Sequence, residues 1–166
     1  MEPTAVQGDI AAQRAEALVN AAGTSLEMGS GVAGALRRGA GGSINEEATS
    51  KGPIELGDVV VTDGYELDTE YVIHAAAMPH YGDGRATEES IRTATRNTLE
   101  TADELGCESL VFPVLGTGVA GFGFERGAQL ICEEISAYES TTLTDVRVIA
   151  YTDAEYEQLQ TVVDGI

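Results

Sequence analysis

Two short glycine-rich segments, each between a strand-like run and a helix-like run, constrain the fold of this chain more than any other feature. The first is Met-Gly-Ser-Gly-Val at residues 28–32, and the second is Gly-Thr-Gly-Val-Ala-Gly at residues 116–121. Clustered glycines mark positive φ or a close approach of another molecule to the main chain. A helix that begins at such a loop presents unpaired N–H groups and a positive dipole end, which suit a phosphate. Two such loops predict a ligand with two phosphates held between them.

The order of the predicted elements indicates an α/β fold. The patterns predict strands at residues 5–10, 15–23, 57–62, 71–76, 108–112 and 145–151, and helices at 32–40, 43–51, 87–105, 124–138 and from 153 onward, with Thr87 and Asp153 as caps. The central strands are continuously apolar, as in sheets covered on both faces. We therefore expect a three-layer α/β/α sandwich, with ligands at the carboxyl ends of its strands. A length of 166 residues predicts one domain, residues 1–166.

The charge of the chain is strongly negative. Twenty-eight acidic residues oppose nine basic ones, for a net charge of -19, and the basic residues are eight arginines and the single Lys51. Such a charge opposes binding to a nucleic-acid backbone. A merely acidic protein is one interpretation, and adaptation to high salt, in a halophile, is the interpretation that the scarcity of lysine favours.

The remaining composition excludes several classes of protein. The first residues lack the basic and apolar pattern of a signal peptide, and no apolar run approaches the roughly 18 residues that would cross a membrane. A soluble, cytoplasmic protein is expected. Cys107 and Cys132 lack metal-ligand spacing and are predicted to be buried thiols, and only His74 and His80 supply imidazoles. We therefore predict no metal site and no cofactor.

The second glycine loop also matches the dinucleotide-binding pattern G-x-G-x-x-G. The required strand precedes it and a helix follows it. An acidic residue should then end the next strand about 20 residues further on, but that strand ends in Tyr151 and Thr152. A nicotinamide-dependent oxidoreductase is thus a remote alternative. A P-loop nucleotidase is less favoured, because the loop has no Gly-Lys-Ser/Thr.

Five ordered motifs resemble those of macro domains. They are Gly-Asp-Ile at residues 8–10, Leu-Val-Asn-Ala-Ala at 18–22, Gly-Ser-Gly-Val at 29–32, Tyr-Val-Ile-His at 71–74, and Phe-Pro at 112–113 followed by the glycine loop and Phe122. The resemblance, to members that process ADP-ribose 1''-phosphate among others, implies a mixed and mostly parallel sheet between helices. It also implies a cleft for ADP-ribose or a derivative, such as a mono-ADP-ribosyl group, ADP-ribose 1''-phosphate or O-acetyl-ADP-ribose. A monomer is the default expectation.

The resemblance assigns roles to individual residues. Asp9 would accept a hydrogen bond from the adenine amino group, Ile10 would donate its backbone N–H to the same ring, and Tyr151 would lie against adenine. The two sides of the pyrophosphate would be held by these residues: Gly29, Ser30, Gly31 and Val32 on one side, and Gly116, Thr117, Gly118, Val119, Ala120 and Gly121 on the other.

The ribose side of the cleft is assigned less sharply. Asn20 is expected to fix the end of its strand and this side of the cleft, together with Gly23. Phe122 either lines the distal ribose or packs under the loop. His74 matches a strand histidine of the family, and a structural role is favoured for it.

The sequence departs from the hydrolytic members of the family at three positions. Gly23 stands where they commonly have a second asparagine, Ala33 where they have an aspartate, and Ala120 where an aromatic residue is frequent. Two polar groups that would position a water and the distal ribose are therefore missing. The sequence favours binding of ADP-ribose, with hydrolase or phosphatase activity on its derivatives as the alternative.

Adaptation to high salt predicts that the fold weakens as salt is removed. The net charge of -19 is screened over about 3 Å at 1 M salt but over about 30 Å at 0.01 M, so self-repulsion grows on dilution. We expect the melting temperature, measured by circular dichroism, to be several degrees higher in 1 M salt than in 0.01 M salt. An unchanged melting temperature would contradict the high-salt interpretation.

Overall fold

The computed structural model describes residues 1–80, 83–117 and 122–166. Its strands are β1 (Thr4–Gln7), β2 (Ala17–Gly23), β3 (Val59–Asp63), β4 (Tyr71–Met78), β5 (Ser109–Pro113) and β6 (Asp145–Ala150). Its helices are α1 (Gly31–Ala40), α2 (Ile44–Ser50), α3 (Glu88–Glu104), α4 (Phe124–Ala137) and α5 (Asp153–Asp164), and a 3-10 turn spans Ile10–Ala12.

The six strands form one sheet in the order β1-β6-β5-β2-β4-β3. Every neighbouring pair is parallel except β3 with β4, which is antiparallel. The predicted mixed, mostly parallel sheet is confirmed. Parallel pairing brings the carboxyl ends of β1, β6, β5 and β2 to the same edge of the sheet, where the loops that follow them meet.

Helices cover both faces of the sheet, as the continuously apolar strands predict. Alternate residues of one strand point to opposite faces, so in β2 Val19 packs into the larger core and Leu18 into the smaller one. The larger core contains apolar residues of α3, α4 and α5, and the smaller one contains Leu36 of α1 and Ile44 at the start of α2. The three-layer sandwich is thus confirmed.

Most predicted boundaries lie within two residues of the observed ones, and two predictions are wrong because a side chain caps a helical turn. The first strand ends at Gln7, because the Asp9 carboxylate accepts a hydrogen bond from the Ala11 N–H at 2.9 Å and starts the 3-10 turn. The cap of α5 is Thr152 rather than Asp153. Thr152 Oγ1 accepts from the Glu155 N–H at 3.2 Å, and the Glu155 carboxylate accepts from the Thr152 N–H.

A buried polar chain joins β2, β4 and β3. Asn20 Nδ2 lies 2.9 Å from His74 Nδ1, and Thr62 Oγ1 lies 2.9 Å from His74 Nε2. Burial lowers the pKa of His74 to about 4, so the ring is neutral near pH 7. An amide N–H at Nδ1 places the ring proton on Nε2, which donates to Thr62. These contacts agree with the structural role predicted for His74.

The two cysteines are buried and free, as predicted. Burial raises the pKa of Cys107 to about 11 and that of Cys132 to about 12, so both remain thiols at neutral pH. In the parts of the chain that the structure describes, no helix has the length and apolar character needed to cross a membrane.

Asp103, near the end of α3, holds the segment between α4 and β6. Its carboxylate accepts hydrogen bonds from the Tyr138 hydroxyl at 2.6 Å and from the N–H groups of Thr141, Thr142 and Leu143 at 2.9 to 3.0 Å. Burial alone would raise the pKa of Asp103, but these hydrogen bonds outweigh it and hold the pKa well below the ordinary 3.8.

Replacing Asp103 by asparagine should destabilise the fold at pH 7. Loss of charge-assisted hydrogen bonds predicts a decrease of about 1.5–3 kcal/mol in the free energy of unfolding, as measured by urea denaturation. Because the folded pKa lies below the unfolded one, the charge stabilises the fold above pH 3.8, and this contribution is lost as the pH falls toward the folded pKa. The difference between D103N and the parent chain should therefore narrow in acid.

A matched control for this variant is Asp68→Asn, which breaks the exposed ion pair with Arg14. Exposed pairs contribute about 1 kcal/mol or less. Equal destabilisation by D103N and D68N would show that Asp103 does not anchor the segment.

Candidate ligand-binding cleft

A cavity of about 560 Å³ opens at the carboxyl ends of β1, β5 and β6, between the first turns of α4 and α5 and one side of α1. Its volume is typical of small-molecule sites. The described residues that line it are Gly8, Asp9, Ile10, Gly31, Val32, Ala35, Arg38, Pro113, Val114, Thr117, Phe124, Ile149, Ala150, Tyr151, Thr152 and Glu155.

One end of the cleft combines two carboxylates with an exposed aromatic ring. Asp9 and Glu155 each use one carboxylate oxygen in a helix cap, which fixes their position. The second oxygen of Asp9 accepts no hydrogen bond from the described residues and is available to a donor in the cleft. Tyr151 directly follows β6 and is 73% exposed, although its ring lines the cavity. A planar ring with an amino group fits this end.

The other end is formed by helix N-termini that no side chain caps. Ser30, before α1, makes no side-chain cap hydrogen bond, and Gly123, before α4, has no side chain to make one. The first main-chain bonds, from the Gly34 N–H to Ser30 and from the Gly127 N–H to Gly123, leave the N–H groups of each first turn for another partner. In contrast, threonines cap α3 and α5 in full capping boxes. This end suits an anion.

Gly31 has the conformation and the open space expected of a ligand-contacting glycine. Its φ is 61°, and a Cβ placed there would meet no atom within 4 Å. Gly29 has the same open space, and Ser30 beside it is exposed. The first glycine-rich turn therefore leaves its backbone accessible before α1.

Gly116 serves packing instead. Its φ is 78°, and a Cβ there would lie 2.7 Å from Ile91 Cδ1 and 2.9 Å from Ala86 Cβ. The Phe122 N–H donates to the Gly116 carbonyl at 3.2 Å, which closes the loop. Gly118, Val119, Ala120 and Gly121, which follow Thr117, lie outside the described residues, and so do the roles predicted for them.

The sixteen predicted site residues differ in whether they line the cavity. Six of the sixteen line the cavity: Asp9, Ile10, Gly31, Val32, Thr117 and Tyr151. Asn20 is 1% exposed, contacts His74 and is not among the residues that line the cavity. Gly23 packs closely, because a Cβ there would lie 3.1 Å from the Pro79 carbonyl oxygen. Phe122 packs against the larger core, which agrees with the second interpretation given for it.

Sequence reasoning missed Arg38 and Glu155. The amphipathic pattern of α1 predicts that Arg38 faces away from the core, which is correct, but the cleft lies on that side of the helix. Arg38 follows Gly31 by seven residues, or two helical turns, and this spacing could have placed both on one face. Glu155 could have been found as the third residue of a capping box that starts at Thr152, directly after the predicted Tyr151.

The charges along the cleft differ from end to end. Arg38 is the one cationic side chain among the described lining residues, and Asp9 and Glu155 are the acidic ones. Within residues 1–80, 83–117 and 122–166, no group of three or more His, Cys, Asp or Glu side chains could hold a metal ion. The described cleft thus offers a carboxylate and an aromatic ring at one end and backbone N–H groups at the other.

Comparisons with known proteins identify the family. A family model described as "Macro domain" matches residues 19–131. O-acetyl-ADP-ribose deacetylase 1 of Pantoea vagans is 35% identical over 161 residues, which cover 93% of this chain and 94% of that protein. An uncharacterized protein of Mycobacterium tuberculosis is 39% identical over 148 residues, which cover 89% of this chain. The chain spans only 41% of the length of that mycobacterial relative.

Solved structures agree with this assignment. A mutant of the Oceanobacillus iheyensis macrodomain with ADPR superposes with a TM-score of 0.88 at 26% identity, covering 97% of this chain and 91% of that one. The Trypanosoma brucei macrodomain in complex with ADP-ribose has a TM-score of 0.85 at 25% identity, covering 96% and 68%. The family model matches well over half of the 166 residues, and the sheet and its helices superpose on a solved macrodomain. The chain therefore belongs to the macro domain family.

Proposed function

We propose that this macro domain binds ADP-ribose or a derivative of it in the cleft at the carboxyl ends of β1, β5 and β6. The observation that carries the proposal is the pairing of the two ends of the cleft. A carboxylate and an exposed tyrosine lie at one end, and two helix N-termini without side-chain caps lie at the other. ADP-ribose has an amino-substituted purine on one side of its pyrophosphate. The purine would lie at the carboxylate and tyrosine, and the pyrophosphate at the helix N-termini.

The adenine end supports the proposal through a hydrogen-bond pattern. Because the Ala11 N–H occupies Asp9 Oδ1, the carboxylate is held in place with its other oxygen unoccupied by the described residues. A carboxylate accepts from the adenine amino group but repels the carbonyl oxygen that hypoxanthine has at the same position. Tyr151 supplies a ring for stacking, worth about 1–3 kcal/mol per base.

The phosphate end supports it through helix dipoles. α1 and α4 both begin at the cleft, at Gly31 and Phe124, and both of these residues line it. The positive ends of both helices therefore face the same space, which favours a group with two negative charges. ADP and ADP-ribose are present in structures of the similar macrodomains.

Hydrolysis of an ADP-ribose derivative is the second candidate function. The Pantoea vagans relative named O-acetyl-ADP-ribose deacetylase 1 favours it. The local chemistry does not supply the two polar groups of hydrolytic members, because Gly23 packs against the Pro79 carbonyl and Ala33 is buried. Catalysis would then depend on a water activated by the substrate's own phosphate.

Two measurements on the same preparation separate these candidates. Titration calorimetry in high salt, with ADP-ribose, AMP and NAD, should give binding that is strongest for ADP-ribose. Absence of ADP-ribose binding would contradict the proposed function. Incubation with an ADP-ribosylated protein, O-acetyl-ADP-ribose and ADP-ribose 1''-phosphate then tests turnover, and release of ADP-ribose or of phosphate would favour the hydrolase.

Replacing Asp9 by asparagine should remove the preference for adenine. The amide oxygen can still accept from the Ala11 N–H, so the 3-10 turn is kept while the charge is lost. We expect ADP to bind about 1.5–3 kcal/mol more weakly, which is a loss of roughly 10- to 150-fold. IDP, whose base has a carbonyl oxygen in place of the amino group, should bind the parent chain weakly and the variant more tightly, because the repulsion from the carboxylate is lost.

The paired ligands make this result specific to the base. Equal losses for ADP and IDP would show that Asp9 acts only through the 3-10 turn. Unchanged binding of ADP would contradict a contact between Asp9 and adenine.

A further inference from the structure

We propose that Arg38 of α1 binds the pyrophosphate of the ligand and determines how strongly the cleft prefers a diphosphate over an uncharged nucleoside. This inference rests on the proposed function, because it assigns a residue to the same cleft. Neither glycine-rich loop contains Arg38, and the residue lies two helical turns after Gly31.

The position of the guanidinium supports this role. In α-helices long side chains point toward the N-terminus and lie over the preceding turn. Accordingly, Arg38 Nη1 lies 3.2 Å from where a Cβ of Gly34 would be, and that same point is 3.0 Å from the carbonyl oxygen of Gly29. The guanidinium therefore lies beside the glycine-rich turn that precedes α1, although its Cα is further along the helix.

Gly34 makes this conformation possible. It is buried in α1, where glycine costs about 1 kcal/mol relative to alanine, so its presence needs a reason. A side chain at this position would approach both the Gly29 carbonyl and the Arg38 guanidinium. The absence of a side chain at Gly34 thus leaves room for Arg38 to reach the phosphate end of the cleft.

The distribution of acidic residues among the helices also supports this role of Arg38. Of the five α-helices in the described residues, α2, α3, α4 and α5 have an acidic residue in the first turn, and α1 has none. In a chain with 28 acidic residues, the first turn of α1 therefore has no carboxylate of its own to pair with Arg38. Asp9 lines the cleft together with Arg38 but forms no ion pair with it in the described structure. An anion that enters this turn meets the helix N-terminus and the guanidinium together.

Arg38 is also not engaged elsewhere in the described structure. Arg14, Arg92 and Arg126 each form ion pairs with carboxylates, and Arg37 donates to the Met28 carbonyl at 3.2 Å. Arg38 makes no ion pair or hydrogen bond with the described residues. Its planar fork can therefore bind phosphate oxygens in a bidentate manner.

The overall charge gives this cation particular weight. A net charge of -19 opposes the approach of a ligand with two negative phosphates. Asp9 and Glu155 add two acidic groups to the same cleft. Arg38, the one cationic side chain among the described lining residues, offsets this repulsion near the phosphates of the ligand.

The test compares Arg38→Gln with Arg14→Gln, which removes the same charge before β2, at the amino-terminal edge of the sheet opposite the cleft. Titration calorimetry with ADP-ribose and with adenosine is run on the parent chain, R38Q, R38K and R14Q. R38Q should weaken ADP-ribose binding by roughly tenfold and leave adenosine binding unchanged. R38K should lose less affinity than R38Q, because lysine keeps the positive charge but lacks the planar guanidinium. R14Q should bind ADP-ribose as the parent chain does.

The outcomes separate this inference from the proposed function. If the parent chain binds ADP-ribose and R38Q matches R14Q, the role of Arg38 is overturned and the proposed function stands. An equal loss for ADP-ribose and adenosine would also overturn it, because Arg38 would then act on the nucleoside or on the fold. If the parent chain does not bind ADP-ribose, both are overturned. As further support, the difference between R38Q and the parent chain should shrink in molar salt, which screens the pair.

Discussion

The parallel pairing of β5 with both β2 and β6 is the constraint on which the rest of the structure depends. Leu110 of β5 pairs with Ala17 of β2, and Pro113 pairs with Ile149 of β6. This register places the loop after β5 beside the end of β6 and the segment after β1, since β1 pairs in parallel with β6. Residues far apart in sequence, Asp9, Thr117 and Tyr151, thereby line one cleft. An antiparallel strand in the middle of the sheet would send one of these loops to the opposite edge.

Close packing around Gly116 and Gly127 positions the start of α4. Gly116 allows the loop after β5 to pass against Ile91 of α3. Gly127 allows α4 to pack closely against Thr117, because a Cβ at Gly127 would lie only 3.0 Å from Thr117 Cγ2. A methyl group at Gly116 would collide with Ile91 and Ala86, and one at Gly127 would press α4 against Thr117 and Val114. The start of α4 is thus positioned by contacts made beneath the loop, while Gly31, with open space around it, leaves the start of α1 accessible. The two glycine-rich segments look alike in sequence but serve different purposes.

Electrostatics distinguishes the negatively charged surface of the molecule from the cleft in which we propose that phosphates bind. The chain has a net charge of -19, and acidic residues occupy the first turns of α2, α3, α4 and α5. α1 departs from this pattern, and Arg38 lies over its first turn. Local fields from helix N-termini and a guanidinium act over a few ångströms and can exceed the screened field of the distant surface charges.

The sequence alone determined the elements of the fold and the general position of the site. Apolar strands, helix patterns and two glycine-rich helix entrances are local signals, and they predicted the three-layer sandwich and the ligand-facing Gly31, while the spacing of Cys107 and Cys132 predicted buried thiols. Asp9 and Tyr151, which also line the cleft, were assigned by the resemblance to macro domains. Only the tertiary structure decided that Gly23 and Gly116 pack closely against other segments and that Arg38 lines the cleft. The physical reason is that the space around a glycine, or beside an outward-facing arginine, is set by residues distant in sequence, here Pro79 and Ile91 for the two glycines. A local pattern shows that a side chain leaves the core, but the packing of the whole sheet determines whether solvent or a ligand cleft lies there.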